Sequence, residues 1–165
     1  MRTKRFWLLG FAVALFSLLV ANGRVYASDD TTFKWVIAST ASALAADGSM
    51  ITLTGSGTFQ PNDSEEVTGG GTWTVSTGGS GTFHVRELVR FNLAPGSVSD
   101  PSIHAGLAFL RITYSDGSRG ILAVSCMLPG TPANVAEGIT ASKGFVDYFN
   151  LQTAVTFFQK VSGDE

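Results

Sequence analysis

Beyond residue 28 the chain repeatedly alternates apolar and polar side chains, as in "MITLTGSGTF" at 50–59. A period of two sends successive residues to opposite faces of a strand, whereas a helix would repeat near 3.6. No window after the first 27 residues sustains the helical period, and Thr, Val, Ile, Phe and Gly dominate. Turn signals divide the alternation. Asp47-Gly48 and Asp116-Gly117 mark two-residue type I′ hairpins, Gly78-Gly79 a weaker one, and Asn150 a fourth turn. The pattern therefore predicts strands near 35–46, 49–59, 69–77, 80–91, 104–115, 118–128, 139–149 and 152–160. Longer loops cover 60–68, 92–103 and 129–138, where all five prolines fall. The expected fold is all-β, an eight-stranded antiparallel barrel built from hairpins, with a two-sheet β-sandwich as the alternative.

Register follows from the turns. A two-residue turn at Asp47-Gly48 sets Leu44 opposite Ile51, Ser42 opposite Leu53 and Val36 opposite Phe59, leaving Ala41, Ala43 and Ala45 on the second face. Gly55 and Gly57 then fall on the core face ahead of Phe59. Glycines that cradle phosphate lead from a strand into a helix N-terminus. These lead into more β-type residues, so they read as bends that curl a sheet. A turn at Asp116-Gly117 places Leu107, Phe109 and Arg111 with Leu122, Val124 and Cys126. The reverse face, with Ala108, Leu110, Ile112 and Tyr114, is apolar as well. A ribbon with two apolar faces needs two covers, which points to a homo-oligomer or to a loop folded over one face.

The first 27 residues change the picture. Arg2, Lys4 and Arg5 precede the apolar run Phe6–Val20, and Val25-Tyr26-Ala27 offers small residues before Ser28. This is the pattern of a cleaved signal peptide, and the run is short of the ~20 residues that span a bilayer. The expected organisation is a signal peptide at 1–27 and a single β domain at 28–165. The product would be secreted, extracellular or periplasmic, with no stable membrane anchor after cleavage. Residues 28–165 carry seven Lys/Arg against thirteen Asp/Glu, a net charge of −6. With no basic cluster along the sequence, no nucleic-acid partner is expected. Cys126 is the single cysteine, so an internal disulfide is excluded. Its place in "ILAVSCML" reads as a buried, inert thiol.

Candidate chemistry is sparse. The histidines are His84 and His104. A turn at Gly78-Gly79 would set Trp73 opposite His84, with Arg86 diagonal to it. On the other face of that strand, Phe83, Val85, Glu87, Val89 and Phe91 place a carboxylate among apolar residues. Arg111 is its natural partner, so a Glu87–Arg111 pair inside the barrel is the leading candidate for a ligand site, with Trp73, His84 and His104 as further members. Structural ion pairs make the same pattern, and a solvated barrel mouth would also suit Glu87. Lys143, Phe145, Asp147 and Phe149 share a face of the expected strand 139–149. No serine-hydrolase elbow, zinc motif or calcium loop occurs, so no metal, cofactor or catalytic residue is assigned. Asn62-Asp63-Ser64 fits an N-glycosylation sequon.

The segments "GSGTF", "TGGGTWTV", "LVRFNLAPG", "AGLAFLRITYSDGSRGILAVSC" and "EGITASKGFVDYF" together resemble a group of uncharacterised exported bacterial proteins. That resemblance implies export and an all-β domain, and it implies no activity. In architecture alone, the expected barrel is similar to lipocalin-like, dirigent-like and allene oxide cyclase-like barrels. Three functions fit the sequence: binding a small apolar ligand inside the barrel, a structural module, or a cyclase- or isomerase-type enzyme with an apolar pocket. Convergence of Glu87, Arg111, His84 and His104 in one cavity would favour the enzyme. A filled interior would favour the structural module.

Overall fold

The computed structural model describes residues 31–152 and 154–161, and the expected signal peptide lies outside them. Ten strands follow in order: β1 (Thr32–Ala45), β2 (Met50–Gln60), β3 (Asp63–Val67), β4 (Gly70–Val75), β5 (Ser80–Ala94), β6 (Ile103–Tyr114), β7 (Arg119–Cys126), β8 (Gly138–Lys143), β9 (Val146–Leu151) and β10 (Thr156–Val161). All belong to one antiparallel sheet. The order β1-β9-β8-β7-β6-β5-β4-β2, returning to β1, makes a barrel-like ring of eight. Two short strands extend it: β3 pairs the end of β2, and β10 continues beyond β9 along β1 to reach β6. The expected strand 139–149 is instead the β8–β9 hairpin, because Gly144 adopts φ +61 and Lys143 pairs with Val146. Asn150 lies within β9, paired with Leu44, and makes no turn. Lys143 and Phe145 therefore do not share a strand with Asp147 and Phe149.

The Asp-Gly hairpins are one residue longer than their dipeptides suggest. Ala45 N–H donates to Ser49 O at 2.8 Å and Tyr114 N–H to Ser118 O at 2.9 Å, which closes three-residue loops. Only the glycines, Gly48 and Gly117, take positive φ. In each loop the aspartate fastens the following serine. Asp47 Oδ1 accepts from Ser49 N and Oγ at 2.9 and 2.6 Å, and Asp116 Oδ1 from Ser118 N and Oγ at 3.0 and 2.7 Å. A shift of one residue exchanges the faces of a strand. Ala41 and Ala43 accordingly pair with Leu53 and Ile51 in the core, and Leu44 with Met50 outside it. Likewise Arg111 pairs with Ile121, and the core face of β6–β7 is Ala108, Leu110 and Ile112 with Val124 and Leu122. The outer Leu107, Phe109 and Ile121 are already half-buried within one chain.

Aromatic rings occupy much of the interior. Phe33, Phe59, Phe91 and Phe158 meet with centroids 4.7–6.1 Å apart, and His104 stands edge-on to Phe33 at 5.5 Å. Towards the hairpin turns, Tyr114 contacts Trp73 at 5.7 Å and Phe83 at 6.5 Å. Such spacings suit tilted and edge-to-face pairs. Trp35, fully buried opposite Gly57, donates its indole N–H to Thr68 O at 3.4 Å. The glycines make room for this packing, as joints should. A Cβ on Gly57 would sit 2.1 Å from Thr68 O and 2.7 Å from Trp35 Nε1. The tight hairpin turns gather at one end of the ring, and the proline-bearing loops at the other.

Two substitutions separate these roles of glycine. Gly57→Ala should cost more than about 3 kcal/mol, because backbone and a packed indole must both yield. Gly117→Ala meets nothing within 4 Å at φ +87, so only backbone strain of about 1–2 kcal/mol is expected. Urea midpoints measure both, and a Gly57 variant as mild as the Gly117 variant would refute the close-packed joint.

Candidate functional site

Two β-bulges determine which side chains of β5 face outward. Pairing with β6 shifts between Val85 and Glu87 and again between Leu88 and Arg90. An extra residue on one strand reverses the alternation beyond it. Phe83, Val85 and Leu88 are buried, while Glu87 and Val89 turn outward. Glu87 and Arg111 do pair, with Arg111 Nε donating to Glu87 Oε2 at 2.7 Å. Their side chains are 40% and 53% exposed, so the pair stands on the outer surface and not in the barrel interior. An exposed pair contributes at most about 1 kcal/mol, against the 3–5 kcal/mol lost when a buried pair is broken.

That outer surface is strongly uneven. On β2, β4 and β5 it carries hydroxyl rows, with Thr54 bonded to Thr72 at 2.7 Å and Thr72 paired with Thr82. One strand further, it becomes basic. Arg86, Arg90, Arg111 and Arg119 are the four arginines of residues 28–165 and all lie on β5, β6 and β7. Arg86 is the residue the first bulge leaves without a partner on β6. Together with Arg111, Thr113, Gly117 and Arg119 it lines a groove of about 440 Å³. His84, paired with Thr113, is exposed on the same strands.

The other expected site residues lie elsewhere. Trp73 pairs with Gly81 and not His84, because Val75 N–H bonds to Gly79 O across a three-residue loop. Its ring points inward, and its indole N–H donates to Thr82 O at 3.1 Å. His104 pairs with Phe158 at the far end of β6 from Thr113. Glu87, Arg111, His84 and His104 thus do not converge in one cavity.

Lys143 closes the turn end. Its ammonium lies 4.3 Å from the centre of Trp73 and 5.1 Å from that of Tyr114, and it pairs with Asp116. A cation over ring faces is attracted by their negative quadrupole. Burial raises the Tyr114 phenol pKa, and its hydroxyl donates to Ser142 O at 2.9 Å. At the loop end, Glu137 does comparable work unforeseen from sequence. It accepts from Met127 N–H, from Thr156 N–H at 2.7 Å and from the Thr156 hydroxyl at 3.1 Å. Cys126 is buried as expected; desolvation first, then the Glu137 carboxylate, push its thiol pKa up to about 12. A thiol so rarely ionised is a poor nucleophile.

Comparison with known proteins returns no relative: no family model matches the chain, and neither a curated protein nor a solved structure matches it.

The turn-end contact gives a pH signature. Hydrogen bonds from Lys143 and then Ser118 pull the Asp116 carboxyl from 3.8 down to about 2. A pKa lower in the folded than in the unfolded chain contributes stability above pH ~4 that fades as pH falls towards 2. Asp116→Asn should therefore be less stable than wild type at pH 6, with the two converging between pH 4 and 2 in urea titrations. A stability difference constant across that range would remove Asp116 from the contact.

Proposed function

We propose that the chain is exported and serves as a structural or surface-binding module, with its interior given over to packing. One observation carries this reading: Trp35, Phe59, Phe83, Phe158, Leu110 and Leu122 are all fully buried inside the ring. An eight-strand ring has room to hold one small ligand or to be filled by its own side chains. The meeting rings at one end and the Lys143–Trp73–Tyr114 closure at the other support filling. An enzyme of the cyclase sort would need polar groups converging on an apolar pocket. The two histidines are separated along the sheet, and the Glu87–Arg111 pair faces solvent. Self-association belongs to the same reading, since Val89, Leu93 and Phe149 are exposed apolar side chains.

Native mass spectrometry of protein recovered from its export route, without detergent, tests the proposal. The expected species begins at Ser28 and retains no small molecule, and the same spectrum counts chains per particle. Addition of an apolar fluorescent probe should give no saturable, stoichiometric binding. A retained apolar ligand, or a probe bound one to one and displaced by fatty acid, would overturn the filled-interior reading.

A further inference from the structure

The groove on the outer face of β5–β7 has the chemistry of a receptor for an oxyanion. Arg86, Arg111 and Arg119 line it together with Ile112, Thr113 and the Gly117 turn. Each arginine comes from a different strand, so the paired backbone holds their Cα atoms at fixed spacing. Arg111 gives Nε to Glu87, and this bond orients the guanidinium fork while its other N–H groups remain available. Arg86 and Arg119 are exposed, and neither forms a salt bridge among the described residues. A guanidinium presents paired N–H donors that match the two oxygens of a phosphate, sulfate or carboxylate. Glu87 offsets the charge of Arg111, which leaves Arg86 and Arg119 as two cations without a carboxylate partner among the described residues, and a bound anion would supply one.

We infer that this groove binds a phosphate- or sulfate-bearing ligand from outside the chain, Arg86 and Arg119 supplying the free forks and Arg111 a fork positioned by Glu87. The inference rests on the surface-binding reading and names its ligand class. Asp29, Asp30, Asp164 and Glu165 are too near the far end of β6 to reach the groove. Thr32 pairs with Val161, and Gln159 with Ile103, at the opposite end of β6 from Thr113. Ile103 and Thr113 are ten residue steps apart along β6, roughly 33 Å. Asp29, Asp30, Asp164 and Glu165 lie within four residues of the described ends, and four extended residues cover only ~14 Å. Two carboxylates beside these residues are engaged within the sheet: Glu87 with Arg111, and Asp116 with Lys143.

Titration of the ¹⁵N-labelled 28–165 chain with sodium phosphate and with sodium sulfate, at ionic strength held constant with sodium chloride, tests the inference. Saturable shifts are expected at Arg86, Arg111 and Arg119 Nε and at the Thr113 and Gly117 amides, with a Kd on the order of 1 mM. Arg86→Ala/Arg119→Ala should keep the wild-type melting temperature and weaken binding at least about tenfold. Arg90→Ala, outside the groove, should bind as wild type. A tighter fit to phosphate assigns a phosphate ester, and a tighter fit to sulfate a sulfate ester. Shifts that do not saturate, that track ionic strength alone, or that survive in the double variant would overturn the inference. So would a wild-type dimer in sedimentation that the double variant loses, because a second copy would then be the occupant. A ligand inside the ring would count against the filled interior without touching this result, and the two failures stay distinct.

Discussion

An eight-strand ring encloses a space about one side chain deep from each wall, and here aromatic rings take much of it. Trp35 can lie flat against the wall only because Gly57 and Gly69 present bare backbone beneath it. On β5 the first bulge turns Leu88 inward in place of Glu87 and Val89, and the second restores the alternation, so that Phe91 still reaches Phe33, Phe59 and Phe158. Glycines and bulges are thus two answers to one demand, that large rings meet inside a closed sheet. Strands so constrained have little freedom of register.

The same demand distributes polar groups over the outside. A bulge that turns Leu88 inward also turns Glu87 and Val89 outward and leaves Arg86 without a cross-strand partner. Arg111 meets Glu87 on the outer face, and Arg119 follows one strand further on. The basic groove therefore arises where β5 is bent to serve the core. Packing inside and charge outside are two consequences of one strand geometry. At the turn end the interior is shut by an ammonium held between ring faces and a carboxylate, an arrangement that ties the β6–β7 turn to the β8–β9 hairpin.

Much of this was legible in the residues, within limits that have physical causes. Most strand positions followed from alternation, and three hairpin positions from Asp-Gly and Gly-Gly; β3, an exposed polar strand inside the expected loop 60–68, did not. Loop length did not, because it depends on Ser49 and Ser118 offering both N–H and hydroxyl to the preceding aspartate; the triplet Asp-Gly-Ser is the signal that would have shown it. Each register slipped accordingly, and Arg111 changed face. The Glu87–Arg111 partnership was readable, since both lie on adjacent strands, but the face was not. Bulges have no fixed residue signature when the extra residue is an arginine. The turn at Gly144 was hidden by Phe145 and Phe149, which mimic a continuing strand. The arginine groove left one trace in the sequence: every arginine beyond residue 27 falls within residues 86–119.

The double bulge in β5 is the point on which filled interior and charged exterior both turn. Nuclear Overhauser spectra of the methyl groups of Leu88 and Val89 probe it directly. With Leu88 4% and Val89 47% exposed, Leu88 methyl protons should show contacts to Leu110 and to interior rings. Val89 methyl protons should show none to those rings, and a soluble paramagnetic agent should broaden them first. The reverse pattern, with Val89 among the rings and Leu88 in solvent, would restore an unbulged strand, return Glu87 to the interior and contradict the outward-facing groove.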